Sequence, residues 1–326
     1  MNKAHVYDKI HFSCPGCGQG IRAGDSLYGF TLSYTVLFAE ASGVRARTFK
    51  DFSCRKKAHL KTIFISAVAG KERKDVKISV VIPMYNEHSI VCDTIKSLDA
   101  QLRSDFGAGE YEMIFVDDGS TDGCRDSALL LASEYPALRV LGYSPNRGKG
   151  YAVRCGMLSG RGDFILFTDC DLAYGTAVIK EFYDRFSNGA GDVIIGSRAI
   201  HDSGYEGYTF KRKVMSKAYM KYLSVVAGFD HTDSQCGIKG FSKDAAFGIF
   251  SVCTCERWAF DLEALLFAKD FGFNVSEVPV RIINHRDSKI NPVKDAIRMT
   301  KEVRRIKKER KNRLKNERNK KRQQGK

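Results

Sequence analysis

Hydrophobic and polar positions follow two alternating patterns through the middle of the chain, from about residue 76 to residue 290. Short runs rich in β-branched and aromatic residues predict buried strands, and segments whose apolar residues recur every three or four positions predict amphipathic helices. The predicted strands are Ile78–Pro83, Tyr111–Val116, Leu138–Tyr143, Arg161–Thr168 and Val193–Ile195. The predicted helices cover residues 87–104 and 127–135.

Strands that alternate with helices predict an α/β fold, in which a mostly parallel central sheet is covered by helices on both faces. Ligands bind to such sheets beyond the carboxyl ends of the strands. Polar clusters follow three of the predicted strands at this edge, namely Asp117-Asp118, Asp169-Cys170-Asp171 and Gly196-Ser197-Arg198. The sequence therefore predicts an active site along this edge of the sheet.

Asp169 and Asp171 lie two positions apart, directly after an apolar run. Two carboxylates at this spacing on a strand end can reach one hard divalent cation, which prefers oxygen ligands. The alternative is a surface turn with two solvated acids, but the preceding Phe164–Phe167 is strongly apolar for an exposed edge. We therefore expect a site for a hard divalent cation here.

Two further loops carry candidate binding groups. The segment Asp117–Asp122 offers Asp and Ser side chains to a base or a ribose, and Ser120 or Thr121 is also expected to cap a helix over residues 122–135. The segment Asn146–Gly150 is a cationic, glycine-containing loop before a helix, which favours an anion. The chain contains neither a Gly-x-Gly-x-x-Gly fingerprint nor a P-loop, so dehydrogenase and P-loop functions lose their main support.

Five short motifs follow one another along the chain, each at a predicted strand end or in the loop beyond it. They are Val81–Glu87, Val116–Asp122, Asn146–Gly150, Asp169–Asp171 and Gly196–Arg198. On these motifs and their order, residues 77–290 resemble the family 2 glycosyltransferases, which have the GT-A fold. Two later segments, Asp233–Phe241 and Arg257–Glu263, are similar to the dolichyl-phosphate β-glucosyltransferases of its polyprenyl-phosphate branch.

The resemblance implies an inverting, metal-dependent hexosyltransferase that moves glucose from UDP-glucose to a polyprenyl phosphate. It also assigns roles to individual residues. The implied nucleotide-pocket residues are Pro83, Tyr85, Glu87 and Asp118, with Lys149 near the donor diphosphate. Asp169 and Asp171 would hold Mg²⁺ or Mn²⁺. The implied ligands of the acceptor phosphate are Arg198, Arg212 and Ser216.

One position departs from the family pattern. Ala173 stands where some mannosyl relatives carry a polar third ligand, so water or a donor oxygen would complete the shell of the cation. The main alternative function is a family 2 enzyme with a hydroxyl acceptor, in polysaccharide or glycolipid synthesis. That reaction requires a catalytic base, for which Asp261 is the candidate.

The first 75 residues lie outside the resemblance, and we expect them to form an N-terminal extension. Cys14 and Cys17 have the spacing of half a zinc site, and Cys54 and His59 are irregularly spaced candidates for the other half. The alternative is that these cysteines are unpaired, reduced thiols.

The formal net charge of +15 is concentrated in the tail, because residues 294–326 contribute +12 of it. A predicted helix over residues 292–307 carries one narrow apolar stripe, formed by Val293, Ile297, Thr300, Val303 and Ile306. Basic residues surround this stripe, which predicts an amphipathic helix lying on an anionic membrane surface. The alternative is that the stripe packs on the catalytic domain.

No apolar run approaches the ~20 residues that span a bilayer, and no secretory leader is recognisable. We therefore expect a catalytic domain over residues 76–290, a basic helix and tail over residues 291–326, and a peripheral location on the cytoplasmic face of a membrane. A basic nucleic-acid-binding protein that uses the tail and the Cys14/Cys17 region is a distant alternative. It leaves the five ordered motifs unexplained, so nucleic acid is not an expected partner.

Overall fold

The computed structural model describes residues 76–201, 203, 210–284 and 300–312, together with three strands before residue 76; the side chains of residues 210–217 and 219 are not included. The chain divides into two compact units, Met1–Leu60 and Lys61–Lys326. In the first unit, strands β1 (Tyr34–Glu40) and β2 (Gly43–Phe49) pair antiparallel. The predicted zinc ligands Cys14, Cys17, Cys54 and His59 lie outside the described residues, so that site stays a prediction.

The second unit is built on one eight-stranded sheet with the strand order β10-β8-β9-β7-β4-β5-β6-β3. Its strands are β3 (Phe64–Ser66), β4 (Ile78–Met84), β5 (Tyr111–Asp117), β6 (Leu138–Gly142), β7 (Phe164–Phe167), β8 (Val193–Ser197), β9 (Lys239–Ser242) and β10 (Val275–Pro279). Its helices are α1 (His88–Phe106), α2 (Cys124–Leu131), α3 (Lys149–Ser159), α4 (Val178–Ser187), α5 (Phe210–Ala227), α6 (Lys243–Phe250) and α7 (Phe260–Asp270). Residues 300–312 form a further helix, which we call the C-terminal helix.

The sheet is mostly parallel, as the alternating pattern predicts. Strands β7, β4, β5 and β6 are parallel neighbours, and β8 pairs parallel with β10. Strand β9 was not among the predicted strands; it runs antiparallel between β7 and β8. The antiparallel pairing of β3 with β6 closes one edge. Because the central strands run in one direction, the loops that follow them meet at a single edge of the sheet.

Helices cover both faces of the sheet and confirm the predicted α/β architecture. Successive residues of a strand point to opposite faces, and in β4 the side chain of Val81 joins one buried cluster while Val80 and Ile82 join the other. The first cluster includes residues of α3, α6, α7 and the C-terminal helix. The second includes residues of α1, α2 and α4.

Helix α2 ends earlier than the predicted residue 135 and begins between the two predicted starts, residues 122 and 127, and its predicted cap is wrong. It starts at Cys124, after Gly123, whose φ of 83° lies in the left-handed region that favours glycine. The hydroxyl of Ser120 is used elsewhere, since it accepts a hydrogen bond from the Asn86 N–H at 3.0 Å. A carboxylate oxygen of Asp122 accepts instead from the Cys124 N–H at 3.0 Å.

The C-terminal helix corrects the prediction for the apolar stripe. Val303 and Ile306 are buried and belong to the same core cluster as residues of α3, α6 and α7. A side chain that packs in the protein core is not available to a membrane. The prediction that these two residues face a membrane is therefore wrong, and the alternative, that the stripe packs on the catalytic domain, is confirmed for them. Val293 and Ile297, the first two residues of the stripe, lie outside the described residues.

Candidate active site

The loops that follow β4 and β5 are tied to each other by hydrogen bonds from backbone N–H groups to side-chain oxygens. The Thr121 N–H donates to the side-chain oxygen of Asn86 at 2.9 Å, and the His88 N–H donates to Asp122 at 2.8 Å. Tyr85 lies in the first of these loops with 45% of its surface exposed. An exposed aromatic ring on a fixed loop suits contact with a planar ligand such as a nucleotide base.

The other two predicted residues of this first loop region differ in exposure. Pro83 is buried within β4, where it lies opposite Val116 of β5, and Glu87 is half-buried at the start of α1. The structure therefore brings Tyr85, Glu87 and the acidic end of β5 to one place. It places Pro83 in the sheet behind them.

Asp118 anchors the loop that leads into α3. Its carboxylate accepts hydrogen bonds from the Tyr143 hydroxyl (2.7 Å) and the Asn146 amide (2.7 Å), and from the backbone N–H groups of Arg147 (2.8 Å) and Gly148 (2.8 Å). Burial raises the pKa of Asp118 above its ordinary value, although these donors oppose the shift. Because both oxygens are already engaged, a direct contact with uracil or ribose would compete with these bonds. The contact of Asp118 with uracil or ribose stays a prediction, and the bonds in the structure show that Asp118 holds the loop before α3.

Lys149 is the first residue of α3, and its ammonium forms an ion pair with Asp169 at the end of β7. The two residues stand 20 positions apart in sequence and belong to two separate predicted motifs. Burial lowers the pKa of Lys149, but the nearby carboxylates of Asp169, Asp261 and Asp171 raise it by more, so the ammonium stays charged. The predicted anion-binding and cation-binding motifs thus meet at one point.

The residues around Asp169 leave little space on one side. A Cβ atom added at Gly237 would lie 2.3 Å from a carboxylate oxygen of Asp169, so only glycine fits there. Asp171 follows in a turn in which it accepts a hydrogen bond from the Ala173 N–H at 3.1 Å. The side chain of Asp169 is 34% exposed, so ligands from solvent can reach it.

The donor set fits a divalent cation only in part. Asp169 and Asp171 are two carboxylates of the kind that Mg²⁺ and Mn²⁺ prefer. Within the parts of the chain that the structure describes, no three His, Cys, Asp or Glu side chains cluster as a complete metal site. Ala173 offers no side-chain oxygen, so a cation held by these two residues takes its other ligands from water or from a bound substrate.

Lys239 and Asp261 form a buried ion pair next to this site. The Lys239 ammonium lies 2.8 Å from a carboxylate oxygen of Asp261 and also donates to the Cys236 carbonyl. Burial raises the pKa of Asp261, although the charges of Lys239 and Lys149 oppose the shift. The sequence analysis predicts no role for Lys239. The one feature of the sequence that points to its burial is that glycine and apolar residues flank it in the segment 236–241.

Arg198 follows β8 and is held by Asp233. Its Nε and Nη2 atoms donate to the two carboxylate oxygens of Asp233 at 2.7 and 2.9 Å, and the pair is largely buried. Burial raises the pKa of Asp233, but the bonds and charge of Arg198 outweigh this and lower it. A two-pronged pairing of this kind fixes the orientation of the guanidinium. The predicted contact of Arg198 with an acceptor phosphate therefore competes with Asp233 for two of its donors.

The remaining predicted acceptor ligands lie on α5. Arg212 and Ser216 fall within its range, Phe210–Ala227, and their side chains are outside the described residues. Their roles stay predictions.

Within the described residues, no helix combines the length and the apolar character that a membrane span requires.

Comparison with known families agrees with the motif order. The family model described as "Glycosyl transferase family 2" matches residues 79–248. A dolichyl-phosphate beta-glucosyltransferase of Dictyostelium discoideum is 31% identical over 258 residues, which cover 74% of this chain and 78% of that protein. The human protein of the same name is also 31% identical, over 70% of this chain and 74% of its own length.

Solved structures share the fold. A crystal structure of glucosyl-3-phosphoglycerate synthase from Mycobacterium tuberculosis, in complex with Mn²⁺, uridine diphosphate and glucosyl-3-phosphoglycerate, superposes with a TM-score of 0.53. The match covers 71% of this chain and 78% of that chain, at 19% sequence identity. At this level of identity the likeness establishes the GT-A fold.

Proposed function

This chain belongs to glycosyltransferase family 2, and on that premise we propose that it transfers glucose from UDP-glucose to a polyprenyl phosphate of the dolichyl type. The observation that carries the proposal is the meeting of Lys149 with Asp169 and Asp171 at the carboxyl edge of the sheet. This arrangement brings the positively charged ammonium of Lys149 and a pair of carboxylates to one point. The names of the relatives support the glucose donor and the lipid phosphate acceptor.

The reaction follows from the charges of its partners. An oxygen of the acceptor phosphate attacks the anomeric carbon of glucose, the bond from that carbon to the diphosphate breaks, and UDP leaves. A phosphate is already anionic near neutral pH, so the attack requires no base to remove a proton. In-line attack inverts the anomeric centre, so an α-linked donor gives a β-linked glucosyl phosphate.

The residues of this chain bind and orient the two anions. Lys149 offers a charged ammonium beside the donor diphosphate, and Asp118 fixes the loop in which Lys149 begins α3. Asp169 and Asp171 are the residues that would hold Mg²⁺ or Mn²⁺. When bound there, such a cation neutralises the charge that the leaving diphosphate gains. The exposed ring of Tyr85 is our proposed contact with the uracil base.

On the acceptor side, we assign the lipid phosphate to Arg198, with Arg212 and Ser216 on α5. Asp233 would orient the guanidinium of Arg198 and keep it charged, as its bidentate pairing supports. Fixed positive charge on this side brings the second anion to the site, which electrostatic stabilisation of the reaction requires.

The hydroxyl-acceptor alternative depends on Asp261 as a base. A base must reach the proton that it removes, within about 3 Å or through one water. Asp261 is buried, with 7% of its surface exposed, and its carboxylate is paired with Lys239. These contacts favour a structural role for Asp261, so they support the phosphate acceptor over the hydroxyl acceptor.

We further propose that the C-terminal helix meets an anionic membrane surface through charge. Its buried side faces the protein core, and its exposed residues include five that are basic: Lys301, Arg304, Lys307, Lys308 and Lys311. Each Lys or Arg near an anionic lipid surface contributes about 1 kcal/mol of attraction. This contact needs no apolar insertion, which is consistent with the burial of Val303 and Ile306.

A transfer assay tests the proposed function. The full chain is incubated with dolichyl phosphate, Mg²⁺ or Mn²⁺, and a panel of radiolabelled sugar nucleotides. We expect label from UDP-glucose in a butanol-extractable lipid that mild acid hydrolyses. Label from a different donor would correct the sugar, and label in a product stable to acid and alkali would indicate a hydroxyl acceptor.

A further inference from the structure

Residues 254–257, which end three positions before the start of α7, pack against the loop that carries Lys149. A Cβ atom added at Gly148 would lie 2.5 Å from the Glu256 carbonyl oxygen, and one added at Gly150 would lie 2.6 Å from the Cys255 carbonyl oxygen. The Tyr151 N–H donates to the Glu256 carbonyl at 3.1 Å. The position of the Lys149 loop therefore depends on where this segment lies.

Glu263 of α7 holds the segment from within the domain. Its buried carboxylate accepts hydrogen bonds from the backbone N–H groups of Thr254 at 2.9 Å and Cys255 at 2.7 Å. The Thr254 hydroxyl lies 3.0 Å from the other carboxylate oxygen of Glu263. These contacts fix the backbone at Thr254 and Cys255, beside the carbonyl groups of Cys255 and Glu256 that face Gly150 and Gly148.

Arg305 of the C-terminal helix also contacts the segment. Its Nη1 atom donates to the Thr254 hydroxyl at 3.1 Å. The same hydroxyl lies 3.0 Å from a carboxylate oxygen of Glu309 in this helix. Arg305 is itself held by Glu302 at 2.8 Å and Glu309 at 3.0 Å. A pre-oriented guanidinium loses little conformational freedom when it bonds Thr254.

The C-terminal helix is firmly attached to the catalytic domain. Val303 and Ile306 are buried in its core. Arg310 donates to both carboxylate oxygens of Asp270 at the end of α7, and to the Ala227 carbonyl at 3.2 Å. The helix is therefore held in place, and its contact with Thr254 can fix the position of that residue.

We propose that the C-terminal helix positions the Lys149 loop through residues 254–257, with Arg305 and Thr254 as positioning residues for the nucleotide-sugar donor. This inference rests on the proposed function only in taking that loop as the site of the donor diphosphate. A 1 Å displacement of a binding group from a distant change can lower activity by about 100-fold. Replacing either residue should therefore weaken the binding of the nucleotide-sugar donor more than that of the acceptor.

Trp258 gives this proposal a direct optical readout. It is the only tryptophan of the chain, it follows the segment, and its ring centroid lies 5.8 Å from the Lys149 ammonium. Half of its surface is exposed, so a soluble quencher can reach it. Acrylamide quenching of Trp258 fluorescence thus reports how tightly residues 254–258 pack beside Lys149.

The experiment compares Arg305→Ala and Thr254→Val with two controls in the full chain. Arg185→Ala removes an exposed arginine of α4 that pairs with Glu181 on the other face of the sheet. Thr254→Ser keeps the hydroxyl. UDP affinity is measured by calorimetry in the presence of Mn²⁺, acrylamide quenching is measured on Trp258, and KM is measured for UDP-glucose and for dolichyl phosphate.

We expect Arg305→Ala and Thr254→Val to weaken UDP binding and raise the KM for UDP-glucose by about tenfold, with a stronger quenching of Trp258. The KM for dolichyl phosphate should change less than about twofold, and both controls should behave as the parent chain. UDP affinity and quenching that match Arg185→Ala would overturn the proposal, as would an equal rise in both KM values. UDP binding and quenching do not depend on the acceptor, so failure of the proposed acceptor would be seen separately.

Discussion

The ammonium of Lys239 lies 2.8 Å from a carboxylate oxygen of Asp261, and the lysine side chain has no exposed surface. The lysine comes from the antiparallel strand β9 and the aspartate from the first turn of α7. Asp261 also acts on the pKa of Lys149, which pairs with Asp169. The charges of the candidate site are therefore balanced as a group of lysines and aspartates.

Replacing Lys239 with methionine should destabilise the fold. Lys239→Met leaves the buried carboxylate of Asp261 without its partner, which costs about 3–5 kcal/mol in the free energy of unfolding. Urea denaturation measures this loss. The double variant Lys239→Met/Asp261→Leu should recover most of it, because both charges are then absent.

An exposed pair provides the matched control. Lys180 pairs with Asp184 one turn later on the surface of α4, and Lys180→Met should cost less than about 1 kcal/mol. A Lys239→Met variant that loses no more than Lys180→Met would contradict the account of a coupled, buried pair.

Asp171→Asn should abolish transfer while leaving the fold intact. The substitution removes one of the two carboxylates that would hold the divalent cation, and so removes both ligand charge and geometry. Transfer is measured with Mg²⁺ and with Mn²⁺, and circular dichroism checks folding. EDTA should inhibit the parent chain for the same reason; near-normal turnover of Asp171→Asn would make the metal assignment wrong.

Asp118→Asn should lower kcat/KM by at least about tenfold, because an amide cannot accept all of the hydrogen bonds that fix the Lys149 loop. The same carboxylate predicts a pH effect. Burial raises its pKa, so as the pH falls Asp118 takes up a proton at a higher pH than an ordinary Asp, and the loop then loses an acceptor.

The effects of Asp118 on activity and on stability have opposite signs. Activity should be full above the folded-state pKa of Asp118 and fall as the pH drops through it. Since that pKa is raised, the contribution of Asp118 to folding stability is present at low pH and is lost as the pH rises through it. Profiles of kcat/KM against pH for the parent and Asp118→Asn test the predicted fall in activity at low pH. An acidic limb unchanged in Asp118→Asn would assign it to another group.

Neutralising the exposed face of the C-terminal helix should weaken binding to anionic vesicles without loss of fold. Lys308→Gln/Lys311→Gln removes two charges, which corresponds to about 2 kcal/mol, or roughly 30-fold in affinity. Co-sedimentation with phosphatidylserine vesicles measures the change. The control Lys96→Gln/Lys243→Gln removes two exposed charges elsewhere and should bind as the parent does.

High salt should reduce binding of the parent chain in the same way, since exposed charges are screened. Equal vesicle binding by both double variants would place membrane contact on another surface. Truncation at residue 294 is a poorer test, because it would also remove the buried Val303 and Ile306.

The parallel part of the fold and the acidic strand ends could be predicted from sequence. Apolar runs such as Phe164–Phe167 define their own strands, and the parallel arrangement carries Asp118, Lys149 and Asp169 to one edge. These features depend on local pattern, which the sequence displays directly.

The contacts between distant segments could not be predicted. Lys239 meets Asp261 only because β9 inserts antiparallel between β7 and β8, and four residues give too short a pattern to indicate this. The acidic residues are evident in the sequence, but local pattern does not show that Asp118 accepts hydrogen bonds from Asn146, Arg147 and Gly148. An apolar stripe fits either a membrane or a protein surface, so the burial of Val303 and Ile306 required the tertiary structure.

The central claim is transfer of a hexose to a lipid phosphate, and one measurement with matched acceptors tests it most directly. The full chain is given UDP-glucose and either dolichyl phosphate or dolichol, which differ only in the phosphate, and the lipid products are identified by mass spectrometry. The account predicts a glucosyl phosphate product from dolichyl phosphate and no product from dolichol. Glucosylated dolichol, or no product from dolichyl phosphate while glucose is transferred to another hydroxyl, would contradict it.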